Sequence, residues 1–157
     1  MGQQQLLLLV LATVIVGLAT VAGIQAFDEG QTQATKDALT QRGLTVGNQI
    51  TAALNKPSQL GGVDFDSDAT QIATAAGLDD DDGSGRGIPA AGAGDDADCD
   101  ITEVGSSTVT VICEEDGGES GSNNSSDESQ NNQTVTVEAD LEGASVISVN
   151  GTNLGSI

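Results

Sequence analysis

Residues 1–27 read MGQQQLLLLVLATVIVGLATVAGIQAF and contain no charged side chain. Leu6 to Ile24 alone is 19 residues, which as a helix rising about 1.5 Å per residue reaches across a hydrocarbon core of roughly 30 Å. The run is apolar on every side, unlike an amphipathic surface helix. A cleaved secretory signal begins with a basic segment, and Met1 to Gln5 holds neither Lys nor Arg. Small residues recur instead at Gly17, Ala19, Ala22 and Gly23. Ala19 and Gly23 lie four apart on one helical face, a spacing that lets a second backbone come close. Leu6, Leu9, Gly17, Ala19, Gly23 and Phe27 are therefore the candidate residues for helix packing. A plain single-pass anchor has the same apolar run.

Reading onward, no Pro interrupts the chain before Pro57. Leu39, Gly43, Val46, Ile50 and Ala53 are spaced by four and three, so they share one helical face that needs a partner. Lys56-Pro57 followed by Gly61-Gly62 predicts the stop. A continuous helix over residues 3–56 would be about 80 Å long. Gly30, Gly43 and Gly47 are the places where it is expected to bend.

Beyond the helix, Asp68 with Gln71 three residues on predicts a helix N-terminus, and Gly77 its end. Ile72, Ala76 and Leu78 would face inward. Residues 79–98, rich in Asp, Gly and Ala, read as a loop. Ile101–Val104, Thr108–Cys113, Thr134–Ala139 and Ser145–Val149 alternate Val, Ile and Thr as four short strands. The polar stretch Glu114 to Gln133 reads as a surface loop.

The two cysteines, Cys99 and Cys113, are tested by register. If Gly105-Ser106-Ser107 connects a hairpin, Val104 faces Thr108, Ile101 faces Val111, and Cys99 faces Cys113 on the same side. Directly opposed Cβ atoms on antiparallel strands lie about 4.5 to 5.5 Å apart, close enough for the favoured reading, a disulfide. That bond would contribute about 3 kcal/mol by loop closure and would place the domain in an oxidising compartment. A redox-active pair fits less well, since the spacing is not Cys-x-x-Cys and no basic residue lies nearby in sequence. A two-Cys metal site would lack further ligands, the chain having no His.

The composition narrows the function. Twenty-four acids against 4 basic residues give a net charge of −20, so nucleic acid is not an expected partner. High negative charge keeps a surface hydrated at the expense of self-repulsion, which concentrated salt screens; the composition resembles that of salt-adapted, halophilic proteins. His, Trp and Tyr are absent, removing the commonest general base and the stacking groups, so no enzyme and no cofactor is expected. Asp64-x-Asp66-x-Asp68 begins like a calcium loop, but Ala69 replaces its Gly and Ala75 its bidentate Glu. Asp79 to Asp82 reads as a solvated acidic loop ahead of weak calcium binding. Gly83-Ser84-Gly85-Arg86-Gly87 lacks the strand and spacing of a nucleotide-binding turn. Asn123, Asn124, Asn132 and Asn150 head Asn-x-Ser/Thr triplets, candidate glycosylation acceptors that Asn-, Ser- and Thr-rich sequence also generates by chance.

An uncharged N-terminal run, continued without Pro as an amphipathic helix and followed by an acidic sheet with a candidate disulfide, resembles type IV pilins and related filament subunits. Gly2-Gln3 resembles their leader-processing junction. Where that family usually carries a basic leader, and bacterial members a Glu early in the apolar run, this chain has only Met1-Gly2 and then Gln3, Gln4 and Gln5. The resemblance implies an α+β fold: a long N-terminal helix packed on a small antiparallel sheet. It divides the chain into an apolar membrane and filament-core helix over 1–27, its amphipathic continuation over 28–56, and a globular head over 57–157. It implies a cell-surface structural subunit that is held transiently in the membrane, meets a pilus assembly machinery and polymerises with itself into an extracellular filament. In the core of such a filament, Gly17 and Gly23 would allow the helix to loosen locally. A surface or adhesion protein that stays in the membrane without polymerising is the alternative.

Overall fold

The computed structural model describes residues 2–78, 85, 87–94, 97–115, 133–149 and 152–153, the side chains of 28, 152 and 153 excepted. Helix α1 spans Gly2–Leu54, and a single 3-10 turn follows at Ser58–Leu60. Helix α2 spans Ala69–Ala76. Six strands follow among the described residues: β1 Ile88–Pro89, β2 Asp98–Val104, β3 Val109–Glu114, β4 Thr134–Ala139, β5 Ala144–Val149 and β6 Thr152–Asn153. They form one sheet in sequence order, every neighbouring pair antiparallel. The fold is α+β. Two compact units divide the chain, Met1–Ala34 and Thr35–Ile157, and each is described separately.

Within the second unit, the later part of α1 supplies one layer of the core. Leu39, Val46 and Ile50 have no exposed surface, and Ala53 and Leu54 are buried beside them. Leu39, Val46, Ile50 and Ala53, with the buried Gly43, are the face set by the spacing of four and three; Gly47 and Leu54 extend it. The facing layer is one side of the sheet. Alternation along each strand turns Val109, Val111 and Cys113 of β3 inward with Val135, Val137 and Ala139 of β4.

Helix α1 runs unbroken through Gly43 and Gly47, and the missing side chains let it approach the sheet there. A Cβ on Gly43 would lie 2.9 Å from Val137 Cγ2 and 3.3 Å from Cys113 Sγ. On Gly47 it would lie 2.6 Å from Ala144 Cβ and 3.1 Å from Val137 Cγ1. The glycines make a groove in the helix, and Val137 occupies it. Helix and sheet are tied at the margins as well. Arg42 Nε donates to the Pro89 carbonyl at 2.9 Å, and Asn55 Nδ2 donates to the Leu141 carbonyl at 3.1 Å.

Helix α2 starts as the sequence predicts. The Asp68 carboxylate accepts the Gln71 N–H at 2.9 Å, satisfying one of the free donors of the first turn. Gly77 ends the helix with φ 69°, in the left-handed region open to glycine. Ile72 and Leu78 are buried as expected; Ala73 is buried too, whereas Ala76 is only half-buried.

Two features correct the sequence reading of the sheet. The Ile101–Val111 and Cys99–Cys113 pairings hold, but Val104 faces Val109 rather than Thr108. The register shifts between Ile101 and Glu103, making Thr102 the extra residue of a β-bulge. The turn is correspondingly longer, closed by Gly105 N–H donating to the Thr108 carbonyl at 2.8 Å. The second correction concerns residues 79–98, expected to be loop throughout. They contain β1, and Ile88, Ala90, Ala93 and Ala97 enter the core. A two-residue strand is too short to show a period, and Pro89 is tolerated because β1 is at the sheet edge.

One carboxylate anchors this segment from beneath. Asp100 alternates with the inward Cys99 and Ile101, is only 4% exposed, and accepts the Gly87 N–H at 2.7 Å. Ile101 N–H donates to the Gly85 carbonyl at 3.0 Å, so β2 holds the preceding chain through two bonds.

The Gly47 contact yields a test. Gly47→Ala gains about 1 kcal/mol of helix propensity but loses about 1–3 kcal/mol to overpacking against Ala144 and Val137. The head of the variant is expected to melt several degrees lower, whereas Gly30→Ala, where a Cβ meets nothing within 4 Å, leaves the midpoint unchanged or raised. An unchanged midpoint for Gly47→Ala in a thermal melt followed by circular dichroism would show that the groove is not needed.

Candidate membrane and assembly surface

The first unit presents a different surface. Every described side chain from residue 2 to residue 27 is exposed. Leu6 is 66% exposed, Leu9 63% and Phe27 69%. Among the described residues, α1 is the helix long and apolar enough to cross a membrane. Such a surface loses free energy to water at roughly 25 cal/mol per Å², so it requires lipid or other apolar helices around it.

The polar groups in the run are compatible with that surrounding. Thr13 Oγ1 donates to the Val10 carbonyl at 2.9 Å, and Thr20 Oγ1 donates to the Val16 carbonyl at 2.6 Å. Their hydroxyl protons are thus satisfied inside the helix, which matters where no water is present to take them. The apolar stretch ends where Asp28 and Glu29 follow Phe27.

Gly17 and Gly23 are helical, and α1 is unbroken from Gln5 to Phe27. The local loosening expected there is absent from the single chain: no neighbour or inserted polar group competes for its hydrogen bonds, and two isolated glycines each cost only about 1 kcal/mol. A Cβ on either glycine would meet nothing within 4 Å. Both positions, with Ala19, lie open on the helix surface. Gly2 and Gln3, the candidate processing junction, belong to the first turn of α1 and are exposed.

The cysteines form the disulfide read from their register, with Cα atoms 3.9 Å apart and a sequence separation of 14. Both are fully buried. The candidate acceptors Asn123, Asn124, Asn132 and Asn150 lie outside the described residues, as does the acidic run Asp79 to Asp82. Asp64 serves a turn: its Oδ1 accepts from the Asp66 N–H and the Ser67 hydroxyl, each at 3.2 Å. Among the described residues, no group of three or more His, Cys, Asp or Glu side chains is arranged to hold a metal ion. Sequence reasoning missed Asp100; its only signal is an acid between two inward residues of a strand, a pattern shared by many solvent-facing acids.

A paired substitution tests the membrane reading. Val14→Asp with Leu18→Asp places two charges near the middle of the run, each adding about 3 kcal/mol to insertion. The double variant is expected to leave the membrane pellet on alkaline extraction while the unsubstituted chain remains. Equal retention of both would refute insertion of this segment.

Comparison of the chain with protein-family models, with characterised proteins and with solved structures gives no match.

Proposed function

We propose that this chain is a structural subunit of type IV pilin-like character, held in a membrane by the first half of α1 and polymerised through that same half into an extracellular filament. The observation that carries the proposal is the pairing, on one helix, of an all-round apolar first half with a second half built into the core of an acidic, disulfide-bonded head. A helix apolar on every side is stable in lipid, and it stays stable when neighbouring copies take the place of lipid. Repetition of one head-to-tail contact that does not close gives an open helical fibre.

Charge supports the same reading. Residues 1–27 carry no charged side chain, and the net charge of −20 arises wholly beyond them. Apolar halves can gather without charge repulsion while acidic heads stay hydrated and apart. The absence of His, Tyr and Trp suits a structural rather than a catalytic role. Gln3, Gln4 and Gln5, or the terminal amine, take the place of the buried Glu of related subunits as the polar partner for an incoming copy.

The test is to shear cells, sediment the released material, image it by electron microscopy and sequence the subunit's N-terminus. Filaments composed of this chain are expected, and changing Gln3, Gln4 and Gln5 together to Ala is expected to reduce their number severalfold without removing the chain from membranes. Recovery of the chain from membranes only, with no filaments in the sheared fraction, would favour the non-polymerising surface protein. Unaltered assembly of the triple-Ala variant would remove the glutamines from the mechanism.

A further inference from the structure

The disulfide lies under the helix. Cys99 and Cys113 have no exposed surface, and Gly43 passes so close that even a Cβ there would stand 3.3 Å from Cys113 Sγ. Leu39, Val46 and Ile50, all fully buried, belong to the same core cluster as the two cysteines. A disulfide bond is made and broken through a mixed-disulfide intermediate, which attaches a second molecule to one of the two sulfurs. There is no room for that molecule while α1 is seated.

We propose that the second half of α1 is a lid on the Cys99–Cys113 bond, so that oxidation is completed before the helix seats on the sheet and the bond is sealed from thiol exchange afterwards. In the forward direction a cysteine thiolate attacks a small disulfide oxidant. The oxidant's S–S bond breaks, one of its halves leaves as a thiolate, and the other remains on the cysteine. The second cysteine thiolate then displaces that half as a second thiolate, closing the bond; two electrons have passed from the protein to the oxidant. Reduction by a dithiol runs the same sequence backwards. Each direction needs a sulfur that carries an adduct, and the adduct and the seated helix exclude each other. Residues 39–54 therefore join the sheet only after the cysteines have met their oxidant. The inference concerns the head alone and stands whether or not the chain polymerises.

Two measurements on the full chain in detergent test it. In the first, dithiothreitol is added without denaturant and new thiols are trapped with a maleimide over time, while trypsin cleavage after Arg42 reports whether the lid is open. The wild-type bond is expected to be reduced at least about tenfold more slowly than in denaturant. Gly43→Leu, which forces the helix off the sheet, is expected to be reduced faster than wild type and cut at Arg42. Reduction of the wild-type bond at the denatured rate while Arg42 resists trypsin would overturn the proposal. So would a Gly43→Leu chain that is cut at Arg42 yet reduced no faster than wild type.

In the second, the chain is reduced in denaturant, its thiols are capped with iodoacetamide, and it is refolded. The capped chain is expected to be cut at Arg42, and Cys99→Ala with Cys113→Ala, which has no sulfur to cap, is expected to resist after the same treatment. A capped chain that resists trypsin would overturn the proposal, as would a double-Ala chain that recovers its sheet by circular dichroism yet is cut at Arg42. Should the double-Ala chain not fold, the reduction rates decide alone.

Discussion

The close approach of α1 to β3 and β4 is the contact on which the head depends. With Gly43 and Gly47 at the interface, the helix backbone can settle over Val137, and the larger side chains on either side, Leu39, Val46 and Ile50, are fully buried. Side chains at the two glycine positions would hold the layers apart and deny those residues their contacts, because packed interiors lose attraction steeply as a gap opens. The described strands carry no aromatic side chain, and the single phenylalanine of the head, Phe65, packs at the margin of the core. Tight spacing rather than large side chains makes its core.

The disulfide serves the same economy. Bridging β2 to β3 at a directly opposed pair, it constrains the unfolded chain by about 3 kcal/mol, a substantial fraction of the stability of a small domain. It also places the compact Cys113 sulfur beneath Gly43. Buried sulfur packs as an apolar group, so covalent link and core residue are the same object here. Asp100, on the opposite side of β2, ties down the segment before it, an arrangement that needs a buried carboxylate with a backbone N–H donor.

Charge and apolarity are separated along the chain rather than mixed. The apolar run is free of charge, and the acids lie beyond it, mostly on exposed or half-exposed positions where described. An acidic surface and an all-round apolar one make opposite demands on solvent, and one uninterrupted helix supplies residues to both units. Its two halves nonetheless belong to different compact units, the division falling at Ala34 and Thr35.

Much of this was legible in the sequence, for reasons of period and punctuation. An uncharged run long enough to span a bilayer, a face spaced by four and three, an Asp at a helix start with a Gly at its end, and alternating Val and Thr are all local signals. Cys99 and Cys113 were paired from counting alone, since an antiparallel register fixes each opposed pair once one is known. The count erred by one at Val104, where a bulge at Thr102 adds a residue that has no distinctive side chain. What only the tertiary structure decided was the meaning of the glycines. Gly43 and Gly47 permit a bend and a close contact equally well when read alone; the presence of Val137, Cys113 and Ala144 on the other side selects the contact. A residue that acts by what it leaves room for carries no mark of its neighbour, and the neighbour here lies almost a hundred residues away in the chain.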